Sequence, residues 1–347
     1  MDDVSRINFD YNFILWVKLI MTLQLLVNQY NEDENVVTNL LDSISLQQGV
    51  DFDDFSVIMM NDGSDIILSD QFISKYNYDF SYVLSEHSGV SATRNKLLDI
   101  STGDFIMLCD ADDMFINSLA LKVIFDSIRT GFDVFCSELI TENKIEETGA
   151  YAYRILKNDW EFVHGKVFKR DYLIENDIRW YDPLTFSGDT FFLQLAKRIP
   201  HKELYCDIPL YMWKWNPNSI CRCEKNHFMK TYGMKAKCDD ALIEEFLKRN
   251  MLYDVEYVVL KSFYDAYYMI HVASSCGEDI SDMRFAFEKL VDKYFSIYKK
   301  ASESRKREIW DIVTKASGFS SNPFMVSFDD WIKEVLPYAA NRLGCGQ

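Results

Sequence analysis

Three carboxylates, Asp110, Asp112 and Asp113, follow directly on the apolar run Phe105–Cys109. Acids this crowded repel one another, so a cation is their natural counter-charge. Mg²⁺ or Mn²⁺ held by one or two carboxylates together with substrate phosphates is the usual arrangement. The competing reading is an Asp-rich helix start, which the helix dipole favours. Another carboxylate, Asp189, stands in Ser187-Gly188-Asp189-Thr190. There it reads either as a base that takes a proton from a hydroxyl or as the cap of a helix over 190–196. Asn28-Gln29-Tyr30-Asn31 and Asn61-Asp62-Gly63-Ser64 also close apolar runs.

Something must bring these clusters together. The first two hundred residues alternate strand-like and helix-like segments. Strands are expected over 19–27, 55–60, 80–84, 105–109 and 134–137, and helices over 34–48, 92–100 and 119–129, with Gly103 marking the end of the second helix. Alternation with short crossovers implies an α/β fold whose mainly parallel sheet is covered on both faces. Ligands of such sheets sit at the C-terminal strand ends, where the polar clusters fall. From about Glu224 the pattern changes to consecutive amphipathic helices, over 228–249, 254–274, 280–300 and 303–316.

Composition agrees with a folded chain. The 347 residues are 48% hydrophobic and include 20 Tyr and 25 Phe, enough for a sizeable core. Residues 1–150 carry 8 Lys/Arg against 26 Asp/Glu, and the remainder 29 against 28. So acidic a first half excludes general nucleic-acid binding, which needs a basic face. It can meet an anionic substrate only through a cation. The eight cysteines follow no framework spacing and read as free thiols in a reducing compartment. Met1-Asp2-Asp3 lacks the basic start of a secretory signal, and the apolar stretch 13–27 is too short to span a bilayer. A cytoplasmic protein, soluble or peripheral at the membrane, is expected.

The order of the clusters resembles one family. Val27-Asn28-Gln29-Tyr30-Asn31-Glu32, Ile58-Met59-Met60-Asn61-Asp62-Gly63-Ser64, Gly89-Val90-Ser91-Ala92-Thr93-Arg94-Asn95, Thr102-Gly103-Asp104-Phe105-Ile106 and the Asp110–Asp113 cluster are similar to the motifs of the family 2 glycosyltransferases with a GT-A fold. His164-Gly165-Lys166-Val167-Phe168-Lys169-Arg170, Ser187-Gly188-Asp189, Pro209–Trp213 and Asn218-Ser219-Ile220 continue the resemblance, which covers roughly residues 19–222. It implies a Rossmann-like mixed sheet, a UDP-sugar donor, a Mn²⁺ or Mg²⁺ cofactor and transfer of one sugar. The Gln-x-x-Arg-Trp motif of processive synthases is absent from the sequence.

The resemblance also implies roles. Asn28, Tyr30 and Glu32 would line the donor site at the first strand, and Asp62 would accept the uracil N–H unless it is only a turn residue. Arg94 would stand near the nucleotide or form a surface salt bridge. Asp110 and Ala111 would contact the donor, Asp112 and Asp110 would hold the metal, and Asp189 would be the catalytic base. Gly188 departs from the family, which carries Glu there. His227 reads as solvent-facing, as a third ligand of the donor's metal, or as part of a zinc group with Cys221, Cys223 and Cys238. Trp180, Trp213 and Trp215 stack on sugars or fill core. The expected organisation is a catalytic domain over 1–222 and a helical region over 223–347 for acceptor binding or homo-oligomer assembly. The acceptor would be a surface polysaccharide or lipid-linked glycan precursor. Alternatives are a protein or modified nucleic-acid base as acceptor, or a nucleotide-sugar-binding module without transfer activity.

Overall fold

The computed structural model describes residues 21–217, 219, 231–316 and 328–335. Its first strand, β1 (Leu23–Gln29), pairs in parallel with β2 (Phe55–Asp62) on one side and β4 (Phe105–Asp110) on the other, and β3 (Asp79–Ser85) extends the run beyond β2. β1 and β4 are apolar almost throughout because both their faces are covered. The alternation is still legible in which side each residue packs on. Leu25, Val27, Val57, Met59 and Met107 point into one core, and Leu26, Ile58, Met60, Ile106 and Leu108 into the other.

The parallel run stops at β4. β8 (Lys166–Lys169) lies antiparallel against it, followed by β6 (Val134–Lys144), β9 (Glu203–Trp213) and the two-residue β5 (Met114–Phe115). β7 (Tyr151–Leu156) forms a hairpin with β6. β6 is far longer than the expected strand 134–137, and β9 begins well before the Pro209–Trp213 segment.

The first core is closed by α1 (Glu34–Ser45) and α4 (Ala120–Ile128). Asp33 caps α1, accepting the N–H groups of Asn35 and Val36 at 3.0 Å each, and Val37, Leu40, Leu41 and Ile44 make its buried stripe. A single turn, α2 (Asp70–Ile73), leads into β3. The second core is closed by α3 (Val90–Ile100), α5 (Arg170–Glu175) and α6 (Gly188–Arg198). It runs on without a break into α7 (Tyr232–Lys248), α8 (Leu252–Ser275), α9 (Ser281–Lys300), α10 (Glu303–Ala316) and α11 (Phe328–Val335). Phe246, Phe263, Tyr267 and Phe287 thus belong to the same cluster as Leu26 and Ile106.

Gly103 does not end α3 as a left-handed cap. The helix ends at Ile100, with Ser101 extended, and Gly103 has no positive φ. It is small because Gln24 crosses it: a Cβ there would lie 2.9 Å from Gln24 Cγ, and its N–H donates to Gln24 Oε1 at 2.9 Å. Cys109, Cys136, Cys206, Cys238 and Cys276 are free thiols. No described helix is long and apolar enough to cross a membrane.

Candidate active site

The parallel register sets the polar strand ends side by side. Asn28 pairs with Asp110 on one flank and Met60 on the other, and Gln29 pairs with Asn61. Two turns are tied together above them. Asn31, at φ 68°, gives its N–H to Ser64 Oγ and takes that of Asp65, at 2.9 and 3.1 Å. Gly63 lets the chain pass the backbone of residue 87, since a Cβ there would come within 2.4 Å of the His87 nitrogen. Asp62 is 2% exposed and accepts N–H groups from Ser88 and Gly89 at 2.7 and 2.9 Å. These bonds fix the loop that starts α3. Half-exposed Tyr30 stacks on His87 at 4.7 Å between centroids.

The centre is Arg94. It is nearly buried and spans two carboxylates from different elements, with Nη2 2.8 Å from Asp110 Oδ1 and Nη1 2.5 Å from Asp189 Oδ1. Trp180 Nε1 donates to the same Asp189 oxygen at 3.1 Å, and the Trp180 ring lies flat on Phe192 at 3.8 Å. Asp189 Oδ2 has no hydrogen bond among the described residues. Arg94 is therefore not a surface cation, and Trp180 is core with its polar edge turned to the site. Asn95 fixes the segment that carries Trp180, donating to Trp180 O and accepting its N–H.

On its other side Asp110 meets His164, which opens a segment the sequence reading counted in the family resemblance without giving the residue a role. His164 Nε2 lies 2.9 Å from Asp110 Oδ2 and 3.6 Å from Asp113 Oδ2. The imidazole is buried and stacks on Tyr211 and Trp213, which locks its plane. Asp110, Asp113 and His164 offer ligand atoms within 4.8 Å of one another. Asp112 is held separately, accepting Asn216 Nδ2 at 2.7 Å. Asp113 takes the Lys214 N–H on one oxygen, while its buried Oδ2 has no hydrogen-bond partner among the described residues. The expected metal set shared Asp110 with this group but named Asp112 and His227, and His227, Cys221 and Cys223 lie outside the described residues. The His164–Arg170 segment is visible as a motif, but the partnership of His164 with Asp110 is not; the antiparallel approach of β8 to β4 brings it here.

The charges explain how such a cluster is tolerated. Burial pushes the Asp110 carboxyl up, but Arg94 and His164 outweigh it and hold the group below the ordinary carboxylate range. For Asp112 and Asp113 burial, and then the neighbouring acids, outweigh the hydrogen bonds from Asn216 and the Lys214 N–H and raise both carboxyls. Burial also pushes Glu32 up to about 7, with Asp112 and Asp110 adding to it. Glu32 accepts the Tyr30 N–H at 2.6 Å, so it is built into the turn after β1. Glu32, Asp110, Asp112 and Asp113 thus lie together beside one imidazole, and the one guanidinium is shared with Asp189. With an orphaned oxygen on Asp113, that donor set fits a divalent cation.

Gly188 acquires a steric reason. A Cβ there would lie 2.4 Å from Ser91 Oγ, a buried hydroxyl that donates to Leu184 O at 2.8 Å. The first turn of α6 therefore closes on α3 where a side chain has no room. Gly188→Ala is expected to cost about 1–3 kcal/mol of stability, as overpacking does. Placed in a Ser91→Ala background it should cost clearly less, because the clashing oxygen is gone. Urea denaturation of the two single variants and the double variant measures this coupling, and strict additivity would disprove the contact.

Residues 25–197 match the model of "Glycosyl transferase family 2". Among solved structures the chain is similar to S. aureus TarS 1–349 in complex with UDP-GlcNAc, with 17% identity, 89% of this chain and 95% of that chain covered, and a TM-score of 0.51. It is also similar to the mannosyltransferase PcManGT from Pyrobaculum calidifontis in complex with GDP-Man and Mn²⁺, with 14% identity, 94% and 88% covered, and a TM-score of 0.46. No curated protein matches the sequence. With its strand-end acids, its mixed sheet and the family motifs in order, the chain belongs to the family 2 glycosyltransferases.

Proposed function

We propose that this glycosyltransferase moves a single sugar, with inversion, from a UDP-sugar to an acceptor hydroxyl, with Asp189 as the base. The observation that carries the reading is the Arg94 bridge. One guanidinium ties the strand-end acids, where the donor's diphosphate would lie, to the carboxylate at the start of α6. The base and the leaving group are thereby kept within reach of one sugar carbon. Asp189 Oδ1 is occupied by Arg94 and Trp180, which leaves Oδ2 to take the acceptor proton. The acceptor oxygen forms its bond to the anomeric carbon as the bond to the diphosphate breaks, and UDP leaves with the electron pair. A negative group beside a carbon with oxocarbenium character helps further.

Asn28, Tyr30, Glu32, Asp62, Asp110 and Ala111 would line the donor, with the exposed Tyr30 ring offered to the base. Asp110 and Asp112 would hold a divalent cation, with His164 and Asp113 beside them. When bound, Mn²⁺ or Mg²⁺ neutralises charge on the departing diphosphate. The acceptor read from the sequence is a glycan precursor, met by the helical region. Gly188, where the family carries Glu, is the feature that would favour an inactive binding module; its contact with Ser91 gives it a steric reason instead. A neighbour of the same fold holds UDP-GlcNAc, which supports a UDP-linked donor. The test is UDP release across nucleotide sugars with Mn²⁺ present. Turnover of one UDP-sugar is expected, and silence with every donor would overturn the reading.

Metal binding should also be proton-coupled. Glu32, pushed up to about 7, is protonated below that pH, and a cation beside it displaces the proton. Mn²⁺ affinity should therefore rise with pH up to about 7 and level off above it. Calorimetry in buffers of different ionisation enthalpy should show proton release at pH 6 that fades by pH 8. Glu32→Gln should remove its share of that release, leaving what the raised Asp112 and Asp113 carboxyls contribute. A pH-independent affinity would separate Glu32 from the metal.

A further inference from the structure

The loop between β3 and α3 carries a residue that the transfer chemistry leaves without a task. The side chain of His87 is 56% exposed, and its ring stacks on Tyr30, 4.7 Å between centroids and 27° between planes. Its Nδ1 faces two acceptors of buried Asp62, the carbonyl oxygen at 3.0 Å and Oδ2 at 3.1 Å. A ring nitrogen set between two acceptors carries the proton. In the neutral imidazole Nε2 is then a bare acceptor. It lies across the ring from Nδ1, turned away from Asp62, and has no hydrogen bond among the described residues.

The rest of the loop is bonded so as to hold this ring in place. Asp62 Oδ1 accepts the Ser88 N–H at 2.7 Å and the Ser88 hydroxyl at 3.2 Å. Asp62 Oδ2 accepts the Gly89 N–H at 2.9 Å beside His87 Nδ1. A carboxylate offers about four lone-pair sites, and all of them are met within the loop. Lys96 ties the other flank, with Nζ 2.8 Å from both Ser85 Oγ and Ser88 Oγ. Asp62, read from the sequence as the acceptor of the uracil N–H, thus has no lone pair left for a base. The acceptor that is left is His87 Nε2.

We propose that His87 Nε2, rather than Asp62, takes the N–H of the donor's base and selects uracil over cytosine. The inference rests on the nucleotide site proposed above and names the residue that chooses its base. Ring planes in contact lie roughly 3.5–4 Å apart, so centroids 4.7 Å apart are displaced sideways and part of the Tyr30 face stays free. A base laid on that part, beside His87, meets Nε2 with its edge. Uracil carries an N–H at the middle of that edge, a donor for the bare nitrogen. Cytosine carries a bare nitrogen there, and two lone pairs would face each other. Asp62 sets this polarity from behind, because it keeps the imidazole proton on Nδ1.

The test is calorimetry on the full chain with Mn²⁺, comparing UDP with CDP. The wild type should bind UDP about ten- to a hundredfold more tightly than CDP. In His87→Asn an amide nitrogen can stand where Nδ1 does and donate to Asp62, but nothing stands where Nε2 did. Loss of the ring from Tyr30 weakens both nucleotides alike, so the ratio of their affinities is the readout. In the variant the two should bind about equally. A ratio that His87→Asn leaves unchanged overturns the proposal. Equal affinity of the wild type for UDP and CDP, or a preference for CDP, overturns it too and leaves glycosyl transfer standing. A wild type that binds no UDP sinks the UDP donor itself, and the proposal with it.

Discussion

Asp189→Asn is expected to lower kcat for transfer by about 10²–10⁴, the range for a lost general base, while UDP affinity with Mn²⁺ changes little. The substitution keeps the shape of the side chain and one carbonyl oxygen. Arg94 Nη1 and Trp180 Nε1 both donate to Oδ1, and an amide oxygen in that place can accept from both. The loop and α6 should therefore hold their positions. What is lost is the basicity of the second oxygen and a negative charge beside the sugar carbon. The effect belongs in kcat, since proton removal happens in the transition state and not in the bound donor. Steady-state kinetics beside calorimetry with UDP separates the outcomes. A variant that transfers at the wild-type rate places the base elsewhere. A variant that no longer binds UDP makes Asp189 a donor or scaffold residue.

Much of this arrangement is legible in the chain, and the reasons differ by element. The strands at 55–60 and 105–109 announce themselves because a buried parallel strand must be apolar, and the acids stand where such a strand ends; β3, read at 80–84, is an edge strand of exposed and half-buried residues. The four long C-terminal helices follow from their period alone. β7 is unreadable because it is an edge: Tyr151–Arg154 and Ile155 are exposed, so no buried face imposes a pattern. β8 and β5 are too short for a period to appear, and with them goes the antiparallel half of the sheet. The site divides in the same way. Asp110, Asp112 and Asp189 are visible as residue types at strand and helix ends. The partnership of His164 with Asp110 is invisible because the chain brings the two together only through β8. Arg94 is visible as a cation, but its bridge joins residues on three different elements. Gly188 looks like a lost catalytic side chain until Ser91 is seen filling the space.

Arg94→Met should be the most destabilising of the single changes in the site. The guanidinium is 6% exposed, and its partners Asp110 and Asp189 are 26% and 20% exposed. Removing a cation from between two such carboxylates leaves Asp189 without its ion pair and Asp110 with His164 alone, at a cost of roughly 3–5 kcal/mol for a buried pair. The lower end is expected here, since water reaches the two acids in part. Methionine keeps the length, so lost packing adds little. The pH dependence identifies the cause. In the wild type Asp110 is held below its unfolded pKa, because Arg94 and His164 outweigh burial. Its contribution is therefore fully present above the ordinary carboxylate range and lost as pH falls through the folded value. In the variant burial faces less opposition and the folded pKa rises, so stability is lost in the other direction, as pH climbs past the unfolded value. The gap between wild type and Arg94→Met should be widest at neutral pH and narrow as pH falls, because the unfolded chain takes up a proton that wild-type Asp110 resists. Urea midpoints measured from pH 3 to pH 7 follow it. A gap that stays constant over that range would mean that Arg94 acts by packing and not by charge. Arg94→Lys sharpens the distinction. One ammonium can reach one carboxylate but does not span two in the fixed fork of a guanidinium. Lysine should recover part of the stability and leave transfer slow, because the acids at the strand ends and Asp189 would no longer be held in one geometry.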